Sequence, residues 1–198
     1  MHPTTAPTAP SPPAPPQAPE PEYRPFPNEE GRNSRQQALE VPALVRALGL
    51  PRCGRILEIG CGRGIALVPI AQLLEPSRLA GLDIDPELLA DAAARLENAG
   101  VRAELVPGDA RNLPFPDASF DLVFDFGTCY HIARPADALR EVARVLTPGG
   151  SFVEETPLSQ FLSHPLRSLG RSIPWWREPR LVPARRAVLW SAWRVRPA

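Results

Sequence analysis

Residues 56–64 read ILEIGCGRG: an apolar run carrying a glutamate, then glycine at every second position, Gly60, Gly62 and Gly64. Glycine has no Cβ and adopts positive φ readily, so such a loop lets a ligand approach the backbone itself. Glu58, two residues before the first glycine, adds a carboxylate that suits a cation, directly or through water. Two further acidic turns follow. In GLDIDP, Asp83 lies 19 residues after Gly64, where a carboxylate can accept from both hydroxyls of a ribose. Ile84 beside it suits packing on an adenine face. The alternative for Asp83 or Asp85 is to cap the helix that begins at Pro86. In PGDARNLPFPDASFD, Asp109 can accept from an adenine amino group, and the amide of Ala110 can donate to the ring. The plain alternative for Asp109 is a turn residue after Gly108.

Two adenosine-bearing cofactors use glycine loops of this kind. A nicotinamide dinucleotide calls for G-x-G-x-x-G, which needs glycine at position 65, where the chain has Ile65. S-adenosylmethionine has no pyrophosphate for a helix N-terminus to cradle, and it carries an ammonium that Glu58 could meet. The spacing favours the second.

These residues need strands and helices to hold them. RILEIG, LAGLDI, VRAELVPGD, FDLVFDFG and SFVEET read as strands. Between them, IALVPIAQLLE, PELLADAAARLENAG and PADALREVARVLTPGG read as helices. Pro69 imposes a late start or a kink on the first. The second has proline in its first turn and glycine at its end. Alternation of this kind indicates parallel βαβ units. The fold expected is α/β: a doubly wound, Rossmann-like, mostly parallel sheet of six or seven strands, with helices on both faces. Ligands bind such sheets beyond the carboxyl ends of the strands, where the motifs fall. Upstream, EEGRNSRQQALEVPALVRALGL reads as helical on both sides of Pro42, as two short helices or a kinked one.

The 198 residues suit one domain with an added arm. Residues 1–28 are the arm: eleven prolines occur by position 27, with too little apolar content to offset ordering, so it is expected to be disordered. Its PxxP spacings also fit an SH3-type ligand. Residues 29–156 form the core, and residues 157–198 a shortened completion of the same domain. Formal net charge is zero, so no overall field draws the protein to nucleic acid or membrane. All 22 basic residues are arginine, which fits a coding bias. Cys53, Cys61 and Cys129 are odd in number and lack metal-ligand spacing, so neither a disulfide framework nor a metal site is expected. A reducing cytoplasm follows. No apolar run approaches the roughly 20 residues of a membrane span, and the first residues do not read as a secretory signal.

The order ILEIGCGRG, GLDIDP, GDARNLPFPDASFDLVF and LREVARVLTPGGSFV closely resembles class I S-adenosylmethionine-dependent methyltransferases of the small-molecule type, over about residues 35–156. The resemblance implies a seven-stranded sheet ordered 3-2-1-4-5-7-6. It implies Glu58, Gly60, Gly62, Gly64, Asp83, Ile84, Asp109 and Ala110 around the cofactor, with Phe126 and Asp125 bordering its methionyl part. Methyl transfer from a sulfonium is an in-line displacement, and alignment alone can supply about 7–11 kcal/mol of barrier reduction. A base helps only where the nucleophile has a proton to lose. Tyr130, His131 and Glu155, after the fourth strand and ending the fifth, are the candidate catalytic groups. For Tyr130 and His131 the alternative role is packing or cofactor contact. Glu154 and Glu155 should point to opposite faces. The Pro-Cys pair of cytosine-C5 methyltransferases and the Asn/Asp-Pro-Pro-Tyr/Phe motif of amino-methylating DNA enzymes are absent, which argues against a nucleic-acid acceptor.

Residues 157–198 carry eight arginines and one acid, Glu178, a charge of +7 against −7 for the remainder. All four tryptophans, Trp175, Trp176, Trp190 and Trp193, lie there. A membrane, RNA or an acidic substrate could use such a segment. The simpler reading is that it finishes the fold, with PLSQFLSHPLRSLG a helix, RLVPAR a short strand and AVLWSAWRVR its partner. Trp175 or Trp176 would then line the acceptor pocket. The function expected is methyl transfer to a small-molecule acceptor. The alternatives are a cofactor-binding module without activity and an NAD-dependent oxidoreductase.

Overall fold

The computed structural model describes residues 29–156, 158–159, 177–186 and 189–196. The proline-rich arm, most of the helix expected over 157–170, and Trp175 and Trp176 lie outside the described residues. The elements run α1 (Glu29–Arg35), a π turn (Gln36–Glu40), α2 (Val41–Leu48), β1 (Arg55–Ile59), α3 (Leu67–Leu74), β2 (Arg78–Asp83), α4 (Pro86–Asn98) and β3 (Glu104–Pro107). They continue with β4 (Phe120–Asp125), α5 (Thr128–His131), α6 (Pro135–Val145), β5 (Leu146–Glu155), β6 (Leu181–Arg186) and β7 (Trp190–Val195).

One seven-stranded sheet results, ordered β3-β2-β1-β4-β5-β7-β6. The first five strands are mutually parallel, and β7 runs antiparallel to both β5 and β6. The shortened tail therefore still supplies two strands. Helices cover both faces. Leu44, Leu67, Ile70 and Leu96, from α2, α3 and α4, join one apolar layer. Leu139, Val142 and Val145 of α6 join the other, with Phe120 and Phe152 from the sheet. Central strands buried on both faces read as continuous apolar runs, which is why RILEI and FDLVF stood out.

Both internal prolines are accommodated locally. Pro69 falls in the first turn of α3, which starts at Leu67 rather than Ile65. Before Pro42 the helix widens: the Val41 N–H reaches the Gln36 carbonyl, five residues back. The wider turn relieves the clash a proline ring makes with a preceding carbonyl. α6 is shorter than the expected 135–150. It ends at Val145, and Thr147–Gly150 joins β5 as an irregularity opposite Asp121. Pro148 biases Thr147 away from the helical region. Among the described residues no helix is long and apolar enough to cross a membrane.

Candidate cofactor site

β1 ends in a loop whose three glycines all take positive φ, +63° at Gly60, +50° at Gly62 and +70° at Gly64. Two of them are also crowded where a side chain would stand. A Cβ on Gly60 would fall on Thr128, and one on Gly64 would lie 3.1 Å from the Cβ of Ala92 in α4. The loop is tied to β2 at two points: the Cys61 N–H donates to the Leu82 carbonyl at 2.9 Å, and the Gly62 N–H donates to Asp83 Oδ2 at 2.7 Å.

Of Asp83 and Asp85, it is Asp85 that takes the capping role. Asp85 caps α4, accepting from the amides of Glu87 at 2.9 Å and Leu88 at 3.4 Å. Asp83 does not cap. Its oxygens take the Gly62 amide and, at 3.0 Å, the Asp85 amide, each leaving a further lone pair for a ligand. Ile84 between them is 68% exposed, an uncovered apolar side chain at a strand end. Asp109 is a turn residue as well as a candidate ligand group. Its Oδ1 accepts from the Arg111 amide at 2.8 Å, and the Arg111 guanidinium lies against both carboxylate oxygens. That pairing holds the Asp109 carboxyl below its ordinary range. Ala110 is buried beside it.

Glu58 is the electrostatic centre. It is 2% exposed, and its Oε2 is buried without a hydrogen-bond partner. Burial first, then the charges of Asp83 and Asp125, push its carboxyl well above the usual range. A buried acceptor without a donor costs about 1–3 kcal/mol, and a cation brought to it would remove that cost.

Asp125, at the end of β4, is occupied. Its carboxylate accepts from the amides of Gly127 at 2.9 Å, Thr128 at 2.6 Å and Cys129 at 3.1 Å, capping α5. Burial raises its carboxyl, and the Cys129 thiol and then the three amides oppose the rise. Phe126 is half-buried, its ring stacked on Phe124 at 5.7 Å between centroids.

The candidate catalytic groups lie around α5 and the end of β5. The Tyr130 hydroxyl donates to the Glu155 carbonyl at 3.3 Å, and burial pushes its phenol up. A phenol so placed is a poor base near neutrality. His131 is the last residue of α5. Glu154 and Glu155 are both buried, and the Trp193 indole donates to Glu154 Oε1 at 2.8 Å. Cys129 is buried, its thiol raised well above the usual range by burial, so it is no nucleophile. Among the described residues no cluster of His, Cys, Asp and Glu could hold a metal ion.

Two features were not found in the sequence. Thr128, whose hydroxyl donates to the Ile59 carbonyl at 3.1 Å, comes from 69 residues further along and no local pattern announces it. The Asp109–Arg111 pair had a visible signal in the two-residue spacing of DAR.

The donor set suits S-adenosylmethionine: a buried carboxylate oxygen awaiting a cation, a backbone cradle, an aspartate with spare lone pairs, and a bare isoleucine. Residues 57–153 match the family model of a methyltransferase domain. A fatty-acid O-methyltransferase of Mycolicibacterium smegmatis is 40% identical over 99 residues, 50% of this chain and 35% of that one. A protein of the same organism named "Probable S-adenosylmethionine-dependent methyltransferase" is 40% identical over 108 residues, 54% of this chain and 40% of that one. The match thus spans less than half the length of either relative. In fold, a SAM-dependent methyltransferase from Aquifex aeolicus superposes with a TM-score of 0.64 at 16% identity, over 82% of this chain and 92% of that one. Residues 57–153 thus match a methyltransferase domain, and the relatives that share this stretch include a protein named for S-adenosylmethionine-dependent methyl transfer.

Proposed function

We propose that this protein transfers a methyl group from S-adenosylmethionine to a small-molecule acceptor. The observation that carries the reading is Glu58: its buried, unpartnered Oε2 at the end of β1 is the acceptor that the cofactor's ammonium needs. In this reading the Gly60–Gly64 loop lies along the methionyl and ribose parts. Asp83 accepts from the ribose hydroxyls, Ile84 packs on the adenine, and Asp109 and the Ala110 amide read the adenine edge. Phe126 and Asp125 border the methionyl end, Asp125 by holding α5 in place. Residues 29–156 and strands β6 and β7 act as one domain. Its free cysteines suit a reducing cytoplasm. A small acceptor accords with the name of the fatty-acid O-methyltransferase.

The cofactor supplies an activated methyl on a sulfonium. The chain supplies alignment, and no side chain is required to take a proton from an acceptor that is already anionic. Tyr130, His131 and Glu155 are the groups from which a base would come for a protonated acceptor. An oxidoreductase reading is disfavoured by Ile65, which is 6% exposed where a dinucleotide loop has its third glycine. The second reading worth keeping is a cofactor-binding module without transfer, because the chain matches less than half of its curated relatives.

The test is a thermal melt with S-adenosylmethionine, S-adenosylhomocysteine and NAD in parallel, followed by incubation with methyl-labelled donor and a pool of metabolites. A ligand at 100 times its Kd adds about 2.7 kcal/mol, a shift of roughly 5–11 °C at this size. Shifts with the first two ligands alone, and label in a small molecule, are expected. Shifts without any labelled product would favour the binding module, and a shift with NAD alone would overturn the cofactor assignment.

A further inference from the structure

The chain between β3 and β4 has no strand to pair with, yet its backbone is held at its middle by one turn of α6. The Leu113 N–H donates to Glu141 Oε2 at 2.8 Å. Arg144 closes the grip from the other side: Nη2 donates to the Leu113 carbonyl at 2.9 Å and Nη1 to the Phe115 carbonyl at 2.8 Å. The same guanidinium donates to Glu141 at 2.7 and 2.8 Å and to Asp117 at 2.7 Å. Glu141 and Arg144 stand three residues apart on α6, so they share a face. Leu113 and Phe115 are buried, so this segment is fixed through its side chains beneath and through its backbone by the pair. The segment begins at Asp109 and Ala110.

We propose that Glu141 and Arg144 are positioning residues that hold the Asp109–Ala110 turn against the cofactor's adenine and so set the preference for adenine over other purines. The inference rests on the cofactor reading given above. Neither residue touches the cofactor; both act through the loop backbone. Selecting an amino group over a carbonyl oxygen requires an acceptor fixed in place and unable to turn away. A planar guanidinium can reach two carbonyls and a carboxylate at once, which an ammonium on a flexible stem cannot. Loosening the segment therefore costs discrimination more than it costs binding, since the ribose and ammonium contacts lie on β1 and β2.

The experiment titrates wild type, Arg144→Lys and Arg144→Met with S-adenosylhomocysteine and with S-inosylhomocysteine, which carries a 6-oxo group in place of the adenine amino group. Wild type is expected to prefer the adenine form by about tenfold or more, the range of one charge-assisted hydrogen bond. Arg144→Met should bring the two affinities within about threefold of each other, and Arg144→Lys should fall between. An unchanged ratio in both variants, even with both affinities lowered, overturns the proposal and leaves the pair a stabilising role only. Should Arg144→Met not fold, the ratio in Arg144→Lys decides. If wild type binds both ligands equally, this proposal fails while the cofactor reading stands. If wild type binds neither, both fail.

Discussion

Thr128 stands where a side chain on Gly60 would have to go: a Cβ there would lie 1.8 Å from Thr128 Oγ1, whose hydroxyl donates to the Ile59 carbonyl at 3.1 Å. The start of α5 and the end of β1 are thus interlocked, and the cofactor loop is shaped from the neighbouring strand's connection. Gly60→Ala combines this overlap with a positive φ, so a loss of about 3 kcal/mol or more is expected. Gly60→Ala with Thr128→Gly removes the overlap and should recover all but the backbone cost of about 1–2 kcal/mol. Urea denaturation of the two variants checks this, and equal losses in both would refute the interlock.

Glu58→Gln keeps the shape and removes the charge. Cofactor affinity should fall about 10- to 100-fold, the range of a charged hydrogen bond. Without cofactor the same variant should be more stable near neutral pH. The folded protein holds the Glu58 proton above the ordinary value of 4.5, so between that value and the raised one the native state binds more protons than the unfolded chain. Stability then falls as pH rises through this window, and cofactor binding strengthens over the same window as the carboxylate forms. Melting curves and titrations of both proteins across pH 4–8 read both slopes; parallel curves for wild type and variant would refute the assignment.

Asp125→Ala removes one carboxylate that three amides share. A lost N-cap costs about 0.5–2 kcal/mol, and buried amides left unpaired add to it. A loss of at least about 2 kcal/mol is expected. Denaturant midpoints measure it, and a change under about 0.5 kcal/mol would mean that water replaces the carboxylate.

Ile84 is exposed without cofactor and covered with it in the proposed site. Ile84→Ser should leave unliganded stability within about 0.5 kcal/mol and weaken S-adenosylhomocysteine by roughly tenfold, the value of an apolar side chain partly buried. Calorimetric titration beside a melt separates the two effects; intact affinity would remove Ile84 from the site.

The Arg55 guanidinium and its amide hold the Asp121 carboxyl down to about 2, from 3.8. A folded-state value below the unfolded one means stability that is present above about pH 4 and is lost as pH falls through about 2. Both side chains are more than a third exposed, at 39% and 38%, so solvent screening leaves the pair worth less than about 1 kcal/mol. Asp121→Asn should therefore flatten the acid limb between about pH 4 and pH 2 and change little at pH 7. An unaltered acid limb would argue against the pair.

The strands of the parallel sheet and the placing of the glycine loop were readable in the chain for a physical reason, whereas the strand order came only from the family resemblance. Strands buried on both faces are written as unbroken apolar runs, and the glycines and acids that punctuate them fall at the strand ends. β7 was visible as alternation in AVLWSAWRVR, and β6 as its short partner RLVPAR. Local capping was legible only as a choice: one of Asp83 and Asp85 had to cap α4, and the geometry selects Asp85. Contacts between distant segments were not legible at all. Thr128 fills the space above Gly60, and Arg144 grips carbonyls 29 and 31 residues away. None of these depends on a spacing that sequence periodicity can carry.

The position of β7 bears on how the chain is made. β6 leaves the ribosome before β7, yet β7 lies between β5 and β6. The β5 edge must therefore stay bare until the later segment emerges, and β6 cannot join the sheet by itself. β6 joins only through β7, as a hairpin with it or after β7 has paired with β5, and Arg185, whose guanidinium donates to the Leu48 carbonyl at the end of α2, ties the edge strand to the helical layer. Until then the nascent chain carries an open parallel sheet with one apolar strand edge available to other chains, an interval in which chaperone contact would matter more than at any later stage.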